Sequence, residues 1–147
     1  MKDARVRPVE PWIFLFFGLF HLHRVWALID RPSYAGFWLG LMTRKGPLYV
    51  LLMGVLAGLC VVGMVVFLTS LREKGWWRWV YPLCGGYLLF DLLAIATGWS
   101  VWQELITRMY DIASPCWVPL WAAFILLGAA SLTLGLLLLR ARRRLRA

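Results

Sequence analysis

Few side chains in this sequence could do chemistry, and most of them sit where charge is expensive. Asp91 stands inside an apolar run, and an ionisable group at that depth of a bilayer costs at least about 3 kcal/mol unless it faces protein and finds a partner. Arg24 is the only cation inside a comparable run and is its natural partner. Arg24 lies about a turn and a half from one end of the first run, and Asp91 about two turns from the matching end of the third, so their depths agree. His21 shares a helical face with Arg24 and Phe17, and Tyr87 shares one with Asp91, Cys84, Ala94 and Gly98. His21, Arg24, Tyr87 and Asp91 therefore form the candidate intramembrane polar site. It would be either a structural ion pair that sets helix packing or a site for a proton, ion or small molecule.

A metal or cofactor is not expected. On a regular helix His23 points about 200° from His21, toward Ala27 and Asp30, so the two rings cannot grip one ion. There is no third histidine for a haem held between helices, and zinc wants three or four ligands. Cys60, Cys84 and Cys116 show no C-x-x-C spacing and read as reduced, mostly buried side chains. His23, Asp30, Glu104 and Asp111 are expected at the outer surface, where they would rim any entrance to the site.

The elements that hold these residues follow from composition. Of 147 residues, 62% are apolar and the mean hydropathy is +0.72, well above the roughly half-apolar makeup of a soluble domain. At about 20 residues per crossing the length allows four or five spans and no soluble catalytic domain. The hydropathy pattern predicts an all-α integral membrane protein with spans over 12–29, 47–71, 79–99 and 117–139. The first run has no small-residue cleavage site and reads as retained rather than as a removable signal peptide. Asp30, Arg31 and Pro32 stop it. Residues 33–46 and 100–116 are too short or too polar to cross. Tyr34, Phe37, Trp38 and Leu41 in one, and Trp102, Leu105, Ile106, Met109 and Ile112 in the other, recur at helical spacing, as in amphipathic helices lying at the interface.

Of the 16 lysines and arginines, eleven fall on one side: Lys2, Arg5 and Arg7, then Arg72, Lys74 and Arg78, then Arg140, Arg142, Arg143, Arg144 and Arg146. Only Arg31, Arg44, Lys45 and Arg108 fall on the other. The positive-inside rule then puts both termini in the cytoplasm, the protein in the cytoplasmic (inner) membrane and the two amphipathic helices on the outer face. The net charge of +9 is thus a matter of topology and does not point to nucleic acid. The ten tryptophans read mainly as an aromatic belt. Gly54, Ala57, Gly58 and Gly63 in span two, and Gly128, Ser131 and Gly135 in span four, read as close-packing faces, more naturally within the bundle than against another subunit. The Gly85-Gly86 pair is expected to loosen or bend span three.

The order of elements is similar in outline to that of the four-span sterol-isomerase-like proteins. The glutamate that family carries in its second span has no counterpart here, so no site residue is carried across. With no assembled catalytic set, the leading expectation is a small accessory or structural subunit that binds another membrane protein or a second copy of itself. The first alternative is a lipid-like or hydrophobic small-molecule-binding protein or enzyme, which requires a cavity at His21, Arg24, Tyr87 and Asp91. The second is a proton- or ion-coupled carrier or channel in which Asp91 titrates.

Overall fold

The computed structural model describes residues 6–73 and 75–144; the cations Lys2, Arg5, Lys74 and Arg146 counted above lie outside them. The described residues form helices α1 (Glu10–Leu22), α2 (Val25–Ile29), α3 (Arg31–Arg44), α4 (Pro47–Leu68), α5 (Gly86–Thr97), α6 (Ser100–Met109) and α7 (Trp117–Arg144). Four stretches are long and apolar enough to cross a membrane: Glu10–Ile29, Pro47–Leu68, Trp76–Thr97 and Trp117–Arg144. The chain is a multi-pass membrane helical bundle. Each span turns most of its apolar surface outward, as expected where lipid tails rather than water surround the helices.

Span one is not one regular helix, and its histidines are the reason. The His23 ring bonds the Phe20 carbonyl, the acceptor that the Arg24 N–H would use in an unbroken α-helix. Arg24 N instead donates to the His21 carbonyl at 3.2 Å, which tightens and turns the chain between α1 and α2. Span three is also composite. A 3₁₀ turn at Trp76–Trp79 and a π turn at Tyr81–Gly85 precede α5. Pro82 lacks an N–H and crowds the preceding turn, and a widened turn is one way the backbone absorbs it. The irregularity expected at Gly85-Gly86 is thus centred slightly earlier, on the proline.

Two caps fold the short helices back. Asp30 accepts from Ser33 N at 3.1 Å to begin α3. At the end of α5, Gly98 adopts φ +70°, and Gly98 N and Trp99 N bond the carbonyls of Ile95 and Ala94, a Schellman reversal that aims α6 back over the bundle.

The spans associate as two pairs. α1 and α7 run antiparallel in close contact along their length. A Cβ added at Gly128 would stand 2.7 Å from His21 Cβ, one at Gly135 3.0 Å from the Pro11 carbonyl, and one at Gly18 2.8 Å from Leu132 N. Ser131 Oγ donates to the Phe14 carbonyl at 2.8 Å across the same seam. The glycine face of span four therefore packs within the bundle, and Gly18, which the sequence reading missed, completes it. In the second pair, α4 lies against the π turn and α5, with Gly63 against the Tyr81 ring. Gly54 and Gly58 meet nothing within 4 Å. Internal packing fails for those two because α1 and α5 lie against the opposite face of α4, where Leu56, Cys60 and Gly63 are buried.

The two pairs are joined at the end of the bundle that carries the start of α1 and the end of α7. There Val6, Ile13 and Phe14 pack with Val66, Trp77, Tyr81 and Leu138. At the centre is a buried ion pair: Arg78 Nε bonds Glu10 Oε1 at 2.7 Å, with the side chains 2% and 0% exposed. Glu10 also accepts from Trp77 Nε1 at 3.1 Å and from Arg7 N at 2.6 Å. Arg78 and Arg7 both reach Glu73, at 2.7 and 3.3 Å, and Arg7 holds Thr69 through its hydroxyl and carbonyl. Burial alone would raise the Glu73 carboxyl, but the bonds from Arg78 and Arg7 outweigh it and hold the group below its ordinary value. The basic turn is therefore not simply a headgroup anchor. Trp76 and Trp79 face outward as a belt would, whereas Trp77 is buried. At the opposite end Trp117 and Trp121 depart from the belt in the same way, packing on Ala27, Tyr34 and Ala35.

Glu10→Gln removes the charge that Arg78 was desolvated to meet, and it should cost about 3–5 kcal/mol, read as a large fall in thermal midpoint in detergent; an unchanged midpoint would show that the pair is not integral. On the α1–α7 seam, Gly128→Val should destabilise by about 1–3 kcal/mol in the same assay. Gly54→Ala, in open space, should be neutral or slightly stabilising.

Candidate functional site

Between the two helix pairs lies a cavity of about 630 Å³, within the range of about 300–1,000 Å³ typical of ligand pockets. One wall is α1 and α7, contributing Phe17, His21, Phe124 and Leu134; the other is α4 and span three, contributing Leu59, Cys60, Tyr81 and Leu88. The apolar face of α6 closes one end, with Trp102, Ile106 and Met109 turned inward and Glu104 and Arg108 outward, paired at 2.5 Å. α5 and α7 scarcely touch. Tyr87 on α5 and Leu127 on α7, on the two sides of that gap, are 60% and 47% exposed while also lining the cavity, so it opens sideways toward lipid.

All four residues of the candidate polar site line this one cavity. Arg24 is placed by the break after Leu22 and packs over the rings of Phe124, at 4.6 Å, and Phe20, at 5.3 Å. These contacts hold the guanidinium plane, and the Tyr34 hydroxyl is within hydrogen-bonding reach of the guanidinium. Arg24 Nε and Nη1 are buried without a hydrogen-bond acceptor among the described residues. His21 Nδ1 bonds the Phe17 carbonyl at 2.9 Å. A carbonyl only accepts, so Nδ1 carries the proton and a neutral ring leaves Nε2 as an acceptor. Tyr87 stands at the mouth, 60% exposed, edge-on to Trp102.

The expected Arg24–Asp91 ion pair is not formed; the ion pairs among the described residues do not include it. Asp91 Oδ1 accepts from Trp102 Nε1 at 2.5 Å instead. The cavity separates the walls that carry the two charges, and the Gly98 reversal brings the Trp102 indole within reach of the carboxylate. Depth matching pairs the two charges by height alone and could not register a third helix whose indole reaches Asp91.

None of the four expected rim residues lines the cavity. Asp30 caps α3, Asp111 accepts from Ala113 N in a turn, and Glu104 pairs with Arg108 on the outer face of α6. His23 is not beside Asp30. Once the helix breaks, its ring packs against Phe20, Tyr34 and Trp38, with the Tyr34 hydroxyl 3.5 Å from Nε2.

Sequence reasoning missed three participants. Tyr34, 1% exposed, and Tyr110 stack on one another and face the Arg24 guanidinium. Burial pushes the Tyr34 phenol up to about 12, against the opposing pull of Arg24, and raises Tyr110 as well, so both stay neutral in the physiological range. Trp121 lines the cavity with its indole N–H buried and unmatched. Tyr34 reads from sequence as part of a helix face and Trp121 as part of the belt, and Tyr110 carries no signal of its own; only their convergence from α3, the loop after α6 and α7 sets them apart.

The site is therefore a ligand-sized apolar chamber with one cation, several donors and one carboxylate at the α6 end. Trp102→Phe removes the donor to Asp91, an interaction worth about 1.5–3 kcal/mol for a charged acceptor, and should speed amide exchange in α6 by about tenfold or more. Asp91→Asn, which keeps an acceptor, should do so less; unaltered exchange in both variants would mean α6 is held by packing alone. Comparison with known proteins finds no matching family model, no matching curated protein and no matching solved structure.

Proposed function

We propose that this protein binds a lipid-like or other hydrophobic small molecule within the membrane, in the cavity bounded by α1, α7, α4 and span three. The observation that carries this reading is a chamber of about 630 Å³ whose walls are mostly apolar yet include buried donor atoms lacking acceptors. A bundle meant only to be rigid gains nothing from such a void, because lost packing and unmatched polar groups both cost stability. The sideways opening between α5 and α7 suits a ligand that arrives from the bilayer. In this reading both termini face the cytoplasm, the orientation that the distribution of lysine and arginine favours, and α3 and α6 lie at the outer interface.

A second reading, a subunit that docks on another membrane protein or on its own copy, draws on one feature. Gly54 and Gly58 form an open face on α4 of the kind that lets two helices approach closely.

Native mass spectrometry of the protein, extracted mildly from its own membrane, tests both. Under the binding reading each chain retains one defined small molecule, and Ala130→Phe, which adds bulk to an exposed position on the cavity wall, lowers its occupancy severalfold while the fold survives. A stoichiometric second polypeptide with no retained small molecule, unaffected by Ala130→Phe, would replace the first reading by the second.

A further inference from the structure

We infer that the ligand of this cavity is a bilayer amphiphile whose head carries an oxyanion, a carboxylate or a phosphate, and that Arg24 binds that head. The inference rests on the lipid-binding reading above and adds the chemical class of the ligand.

The cavity walls hold donors in excess. Arg24 Nε and Nη1 and the Trp121 indole N–H are all buried, and none meets an acceptor among the described residues. Asp91, the one carboxylate among the lining residues, already receives the Trp102 N–H. A buried guanidinium with unmatched N–H groups is costly in a low-dielectric setting, and an acceptor brought by a ligand removes that cost. Phe20 and Phe124 occupy the faces of the guanidinium, so its N–H groups are what remains, and a carboxylate or phosphate oxygen is the acceptor to which a guanidinium N–H donates most strongly.

The rest of the ligand is specified by what surrounds the head site. From Arg24 toward the Glu10 end the lining is Phe17, Phe14, Ile13 and Leu134 on one side and Leu59 on the other, a surface for hydrocarbon. A small soluble anion would leave that volume empty. The gap between α5 and α7 lets a chain slide in from the bilayer while the head moves at constant depth, which spares the charged group a crossing of the hydrocarbon.

The test compares two probes with the same chain, oleate and oleyl alcohol, titrated onto the protein in an uncharged detergent at a pH where oleate is ionised, with binding counted by native mass spectrometry. The wild-type protein should take one oleate per chain and hold it at least about tenfold more tightly than oleyl alcohol. Arg24→Gln should lose about tenfold or more for oleate and leave oleyl alcohol unchanged, with Arg24→Lys in between. Equal affinity for the two probes in the wild-type protein would overturn the inference while leaving the lipid-binding reading intact. Binding of neither would overturn that reading itself. Displacement of oleate by excess acetate would overturn the amphiphile in favour of a soluble anion. If Arg24→Gln does not fold, the two-probe comparison in the wild-type protein still decides.

Discussion

Everything in this bundle depends on how its two helix pairs are joined, and the joint is the buried ion pair of Glu10 and Arg78. The α1–α7 seam is close enough to exclude any side chain at Gly18, Gly128 and Gly135, and α4 is firmly set against the π turn. The pairs need each other only where Glu10, with no exposed surface, receives Arg78, Trp77 and the Arg7 backbone. A guanidinium and a carboxylate taken out of water must satisfy one another almost completely, since each unmatched hydrogen bond at such a site costs more than a neutral one. That demand fixes the distance and rotation between the pairs at one end. Toward the other end no comparable demand acts, and they part to leave the cavity.

The contrast between the two buried arginines is informative. Among the described residues Arg78 is matched by two carboxylates and Arg24 by none. Around Arg24 stand aromatic faces and the hydroxyls of two tyrosines, and those phenols remain protonated because burial opposes their ionisation. One charged cluster is thus completed within the fold, and the other, with unmatched donors beside a void, is what the ligand-binding proposal rests on. Asp91, which sequence depth made the obvious partner of Arg24, serves instead to hold α6 over the chamber.

The architecture was largely legible in the sequence because the bilayer imposes a coarse rule. Backbone groups in hydrocarbon must bond within the segment, so a run such as 47–68 has helix as its only option. The residue types of the candidate site were legible for a related reason, since His21, Arg24 and Asp91 are too costly in hydrocarbon to stand there idly. Their partners were not. The projection that sent His23 toward Asp30 assumed an unbroken helix, and a side chain competing for the Phe20 carbonyl cannot be anticipated from periodicity. Glu10 and Arg78 looked like ordinary charges at the membrane edge, because sequence gives no sign of which end charges will meet across 68 residues.

The sequence by itself determined the number of spans and the two short helices between them, since transfer free energy acts on each segment separately. Only the tertiary structure decided which charges meet, which glycines pack and where space remains. Those outcomes turn on the relative rotation of helices, set by a few close contacts and hydrogen bonds between residues far apart in the chain.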